Sequence, residues 1–246
     1  PDAKGIAAAY DDGAVHLWTV QSGNPIAQCK VDEKAGFVSW SPDGKSLAVM
    51  VSPQGQLNGS VTHAVVFDVE TGTQKYGLRP RGRGQINRIA WSPDGASIAG
   101  SGDEGRIWDT RSGRLLSQDI PAASGLGWSP DSTALAVGRE SGVTIYDVES
   151  SGELHEMAAS DPSLIVYSGD GNLLAATDGE NHTDVLVWNL DSPDEPLHAF
   201  KGRHRSSIRD LGWRDDKTLV SGSASEVCLW NLETGKLKGL KSVPVD

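Results

Sequence analysis

The sequence predicts an all-β fold made of repeated units, and three observations carry that prediction. An aromatic landmark recurs six times: Trp18, Phe67, Trp108, Tyr146, Trp188 and Trp230 stand 49, 41, 38, 42 and 42 residues apart. Five of the six follow a tight-turn signal. Trp-Ser-Pro-Asp-Gly occupies 40–44 and 91–95, Trp-Ser-Pro-Asp-Ser 128–132, with looser versions at 167–171 (Tyr-Ser-Gly-Asp-Gly) and 213–217 (Trp-Arg-Asp-Asp-Lys). Pro presets φ for a type I turn, Asp bonds its own backbone, and Gly accepts left-handed geometry. The third observation is compositional: 29 glycines are about 12% of the chain against a usual 7% or so. A fixed period near forty residues with this turn chemistry marks a repeat architecture.

The stretch from Ile86 to Gly113 shows one unit whole. Ile86 to Trp91 is a first apolar run, Ile98 to Gly100 a second and Arg106 to Asp109 a third, closed by Arg111-Ser112-Gly113. Three strands alone are marginal in water, so the unit needs its copies. With strands lettered A (innermost) to D (outermost), the first unit supplies B (6–10), C (15–20) and D (25–31) and lacks A. The second has A at 36–40, B at 46–51, C at 63–69 and D near 73–78, with a long polar B–C connection that accounts for the 49-residue spacing. The third adds D at 114–118. The fourth runs 124–128, 134–137, 143–148 and 153–157; the fifth from Leu164 through 173–176 and 185–190 to 197–200; the sixth 208–213, 218–221, 227–232 and 236–240. Residues 242–246 alternate like a short strand and, read on into Pro1-Asp2, supply the missing A.

The runs Phe67-Asp68-Val69-Glu70-Thr71-Gly72 and Leu229-Trp230-Asn231-Leu232-Glu233-Thr234-Gly235, each after a Ser-Pro-Asp-Gly-like turn, resemble the WD-repeat family. The resemblance covers essentially the whole chain. It implies a single β-propeller domain over 1–246, of four-stranded blades around a channel. Six blades, closed by the N- and C-terminal strands, is the expectation. The alternative is a seven-bladed parent of which this is a piece, seven being the commoner number in the family. The chain departs from the pattern where Tyr146 and Phe67 replace Trp. The glycine-histidine pair that opens a repeat survives only in the loosened Gly202-Arg203-His204, so the family's buried His-Ser-Asp-Trp network is expected to be mostly missing.

Composition narrows function. The balance of 22 basic and 33 acidic residues, net −11, opposes general binding to nucleic acid or anionic membrane. Repeat positions use all eight tryptophans, leaving few aromatics for a single-strand stacking platform. Cys29 and Cys228 sit in apolar runs and read as buried free thiols. No apolar run approaches transmembrane length, and no signal peptide is visible, an absence that says little in a chain beginning at Pro1; the expected location is cytoplasmic. The chain begins at Pro1 rather than Met, which implies a processed chain or part of a larger one.

No phosphate-cradling loop, zinc spacing or nucleophile elbow appears, and the six histidines (16, 63, 155, 182, 198, 204) scatter over different units. Asp178, Glu180, His182 and Asp184 alternate as metal ligands would, but a Ca²⁺ loop needs more oxygen ligands in register, so they read as a solvated turn. No cofactor and no metal is expected. One asymmetry remains. Leu78 to Arg88 carries Arg79, Arg81, Arg83 and Arg88, and Lys201 to Arg209 carries Lys201, Arg203, His204, Arg205 and Arg209, with no acid in either. Both are D–A connections, where by the resemblance the family binds partners. In a six-membered ring they would face each other, so Arg79, Arg81, Arg83, Arg203, His204 and Arg205 are the expected partner-binding residues. His204 would add a pH dependence. The expected function is a non-catalytic scaffold for protein or peptide partners, acidic or phosphorylated. Two alternatives stand beside it: a Pro-Asp-type propeller accessory to a hydrolase or periplasmic transport system, and a propeller enzyme.

Overall fold

The computed structural model describes residues 4–53, 62–79 and 84–242, without the side chains of 117–119 and 240–242. All its regular elements are strands, and among the described residues no helix is long and apolar enough to cross a membrane. The chain resolves into two compact units, Pro1–Ala122 and Ala123–Asp246.

The first unit holds three antiparallel sheets, each in chain order. The first is β1 (Gly5–Ala9), β2 (Ala14–Thr19) and β3 (Pro25–Lys30); the second is β4 (Lys34–Trp40), β5 (Ser46–Ser52), β6 (His63–Asp68) and β7 (Gln74–Leu78). The third is β8 (Ile86–Trp91), β9 (Ser97–Gly102), β10 (Gly105–Asp109) and β11 (Leu115–Ile120). The second unit holds three more. These are β12 (Gly125–Trp128), β13 (Ala134–Arg139), β14 (Gly142–Asp147) and β15 (Glu153–Ala158); β16 (Ile165–Tyr167), β17 (Leu173–Asp178), β18 (Asp184–Asn189) and β19 (His198–Phe200); and β20 (Ile208–Asp215), β21 (Thr218–Ser223), β22 (Glu226–Asn231) and β23 (Lys236–Ser242).

The aromatic landmarks owe their regularity to hairpin geometry. Across the first hairpin of four of the five four-stranded sheets, Trp40 pairs with Leu47, Trp91 with Ile98, Trp128 with Leu135 and Tyr167 with Leu174, seven residues on each time; in the last, Trp213 pairs with Leu219, six residues on. The turn between is held the same way in those four. Ser41, Ser92, Ser129 and Ser168 each donate their hydroxyl at 2.6 Å to the aspartate two residues on, and accept the backbone N–H five residues on at 2.9 Å. Gly44, Gly95 and Gly171 take the positive φ that closes the turn; Ser132 takes it without being glycine (φ 65°).

The third strand carries the second landmark, and a β-bulge sits at it in five sheets. Register shifts fall at Trp18, Phe67, Trp108, Tyr146 and Trp230, which pair with Pro25, Gln74, Leu115, Glu153 and Leu237, again seven residues on. A bulge re-aims the side chain it carries: of these five, Phe67, Trp108, Tyr146 and Trp230 are buried and Trp18 is half-buried, while Trp188, which carries no register shift, is buried as well. Within the first unit one core lies between the first and second sheets (Val15, Leu17, Leu47, Val49, Phe67) and another between the second and third (Val66, Ile86, Ile98, Trp108). The second unit repeats this, with Ile145, Met157, Ile165 and Trp188 between its first two sheets and Val187, Phe200, Leu219 and Trp230 between its last two. Cys29 and Cys228 are free and buried, and burial pushes the Cys29 thiol up to about 11.

Two expectations about the ends meet the structure differently. Among the described residues the first sheet has three strands, which match the B, C and D strands expected of it. Ser242 was expected to begin the closing strand but ends β23, paired with Glu226. The outermost strand runs on because its register with β22 continues to that pair. The rest of the expected closing strand, 243–246 with 1–3, lies outside the described residues.

Candidate interaction surface

In a meander of four antiparallel strands, the loop leaving the fourth strand opens at the same end as the turn between the second and third. The two basic stretches therefore lie with second-to-third turns of their own unit, on loops carried by stiff strands, where binding residues concentrate.

In the first unit, Arg79 follows β7 and is exposed, and Arg88 is half-buried on β8, where burial lowers its pKa. Arg81 and Arg83 lie outside the described residues. Arg79 rims a polar cleft of about 420 Å³ that also holds Lys30, Asp32, Glu33 and His63. Asp32 and Glu33 share that cleft with Lys30 and Arg79, and Glu33 Oε2 stands 3.6 Å from His63 Nε2.

The 201–209 stretch of the second unit is different. Lys201, Arg203, Arg205 and Arg209 are exposed, while the loop's backbone is fixed at three points. Gly202 N–H donates to Asp184 Oδ1 (2.9 Å), Arg205 N–H to Glu226 Oε2 (3.2 Å) and Ile208 N–H to the His182 carbonyl (2.8 Å). Gly202 adopts φ 65° to turn the chain. The Arg205 guanidinium stands 3.7 Å from Glu226, but its side chain is 89% exposed, so solvent screens the pair.

His204 is not on the surface, which corrects its expected place on a binding rim. Its side chain is 0% exposed. Nε2 lies 2.7 Å from Ser221 Oγ, and Trp230 Nε1–H donates to the same oxygen at 2.8 Å. Ser221 Oγ is thus the shared partner of both rings, and His204 Nδ1 faces Glu226 Oε2 at 3.8 Å, beyond hydrogen-bond distance. Burial lowers the His204 pKa against the opposing pull of Glu226, so the expected anion-linked protonation gives way to a neutral structural imidazole. The network expected to be mostly missing is thus built in this sheet, with Glu226 facing the histidine. In the third sheet, where no histidine is available, the buried Ser101 Oγ has no hydrogen-bond partner among the described residues. His198, Phe200 and Trp230 stack in line behind the loop, Phe200 on Trp230 at 4.5 Å.

The alternating acids of 178–184 serve the loops. Asp178 pairs with Asp184 across β17 and β18 and accepts from Ser160 N–H at 2.7 Å, while Asp184 holds Gly202. His182, at φ 50°, places Nε2 3.6 Å from Asp161 Oδ2. Sequence reasoning missed Ser221 and Glu226, the two groups that fix His204. A buried Ser at the second strand and a Trp at the third were visible, but nothing local tied them to a histidine 17 residues upstream.

Similarity to known proteins agrees with this architecture. The family model described as "WD domain, G-beta repeat" matches residues 75–109, which run from β7 through β10. A WD repeat-containing protein WDS homolog of Arabidopsis thaliana is 26% identical over 95% of this chain and 46% of its own length. Protein transport protein SEC31 of Saccharomyces cerevisiae is 22% identical over 92% of this chain and 20% of its own. This chain therefore spans less than half the length of either relative. The crystal structure of the C-terminal WD40 domain of Sif2 superposes with a TM-score of 0.77 over 98% of this chain and 70% of that one, at 18% identity. The resemblance read from the repeats is borne out: a WD40 repeat is matched at 75–109, and the likeness to WD-repeat relatives and to the fold of a WD40 domain extends over nearly the whole chain.

Proposed function

We propose that this chain is a non-catalytic interaction scaffold that works in the cytoplasm within a larger chain or complex. Its partners are proteins or peptides with acidic or phosphorylated segments, and the expected contacts are Arg79, Arg81 and Arg83 in the first unit and Arg203 and Arg205 in the second. The observation that carries the reading is the 201–209 loop: four exposed cations on a backbone pinned at three points, in a chain of net charge −11. A fixed frame lowers the ordering entropy lost on binding, and the acidic remainder repels an anionic partner elsewhere and so orients it. WD-repeat relatives named for protein transport support a role among protein partners.

The test is charge reversal. Arg205→Glu with Arg209→Glu in one variant, and Arg79→Glu in another, are titrated with acidic and phosphorylated peptides at two salt concentrations. Each variant should weaken binding, and more at low salt, where screening is least. Full affinity in both variants, with folding intact, would sink the proposal.

A further inference from the structure

The last two sheets of the second unit leave a groove of about 440 Å³ beside β19 and β23. Lys201 and Arg203 line it from the loop after β19, and Lys236 from the start of β23. Its apolar lining includes Phe200, Trp230 and Leu237, and no aspartate or glutamate lines it. Among the described residues none of the three cations has a carboxylate partner. That is the reverse of the cleft at Arg79, where Asp32 and Glu33 share the space with Lys30.

We propose that this groove is a phosphate-recognition site for a phosphorylated serine or threonine side chain on a partner peptide; this deepens, and rests on, the scaffold reading. Three like charges around one space repel until an anion enters. A single carboxylate would leave two of them unanswered. A phosphomonoester brings a charge of about −1.5 to −2 and three acceptor oxygens, and the planar fork of Arg203 can take two of them at once. The lining also says what the phosphate is attached to. Phe200 and Trp230 are 5% and 2% exposed and stacked on each other, so neither offers a face to a nucleobase. Half-buried Leu237 and exposed Ala199 offer apolar contact to a neighbouring peptide side chain. The two walls come from residues 35 apart in sequence, 201 and 236, which is why the basic loop alone did not reveal the third cation.

The experiment is fluorescence anisotropy with a labelled degenerate phosphoserine/phosphothreonine peptide library, run beside its unphosphorylated and glutamate-substituted counterparts and inorganic phosphate as competitor. The phosphorylated library should bind at least tenfold more tightly than either counterpart, and inorganic phosphate should compete. Lys236→Glu and Arg203→Glu should each weaken binding about tenfold, Lys236→Arg should retain it, and an unchanged melting temperature in each variant reports the fold. Binding by Lys236→Glu within twofold of the parent overturns the groove, as does equal binding of the three libraries. If Arg205→Glu with Arg209→Glu abolishes binding while Lys236→Glu does not, the groove falls and the scaffold reading stands. If no library binds and no variant matters, both fall.

Discussion

Replacing Ser221 by alanine tests the buried network that joins His204, Ser221 and Trp230. Ser221 is fully buried, and its hydroxyl is the shared partner of Trp230 Nε1 at 2.8 Å and His204 Nε2 at 2.7 Å. Ser221→Ala leaves two ring nitrogens without a partner at a site with little access to water. Each stranded buried group costs about 1–3 kcal/mol, and small shifts of both rings recover part of that, so the expected loss is about 2–4 kcal/mol. In a domain of this size that lowers Tm by roughly 4–16 °C. The assay is thermal unfolding followed by tryptophan fluorescence, with Trp230→Phe made in both backgrounds. Trp230→Phe should cost less once Ser221 is gone, giving a coupling above about 1 kcal/mol. The same network sets a pH dependence. Burial lowers the folded pKa of His204 below its unfolded value of about 6.5, so the unfolded chain binds the extra proton. The contribution of His204 is fully present above pH 6.5 or so and is lost as pH falls below it. His204→Phe should flatten the stability change between pH 7 and pH 5. A Ser221→Ala cost under about 0.5 kcal/mol, or the same pH slope without His204, would refute this reasoning.

Other perturbations follow from the repeat geometry. Trp108 is 2% exposed between the second and third sheets, so Trp108→Ala should destabilise by about 3–5 kcal/mol in urea unfolding; less than about 1 kcal/mol would mean it packs elsewhere. Ser132 holds φ 65° where three sister turns have glycine, and Ser132→Gly should raise stability by up to about 1 kcal/mol by calorimetry. A loss there would show that the serine hydroxyl outweighs the backbone conformation. Asp43, Asp131 and Asp170 have lowered pKa values, chiefly from the hydroxyls of Ser41, Ser129 and Ser168. Their stabilisation is present above the unfolded carboxylate pKa near 3.9 and is lost as pH falls below it. Tm should therefore drop between pH 5 and pH 3, and replacing all three serines by alanine should shrink that drop.

Strands and turns were legible because each hairpin is a local object. The seven-residue step from Trp91 to Ile98, or from Trp108 to Leu115, is fixed by turn chemistry within the step, and the expected strands match those observed to within about two residues. What escaped were juxtapositions between elements distant in sequence. His204 sat in a polar, arginine-rich run and read as surface; its burial depends on Ser221 and Trp230 reaching it from two other strands. Lys236 looked like an ordinary exposed strand residue, and only the packing of one sheet on the next places it across from Arg203. Glu226 has no place in the repeat pattern, yet it holds the Arg205 amide and faces His204.

The scaffold account stands or falls on whether a partner touches the 201–209 loop. A photo-reactive phenylalanine analogue placed at Ser207, which leaves the loop's cations in place, and separately at Glu149 on an exposed third-to-fourth-strand turn at the opposite end of its own sheet's strands, would report contact directly when each variant is irradiated with phosphorylated peptide. The account predicts a cross-link from position 207 that inorganic phosphate and high salt suppress, and none from position 149. Equal cross-linking at both positions, or none at 207, would contradict it.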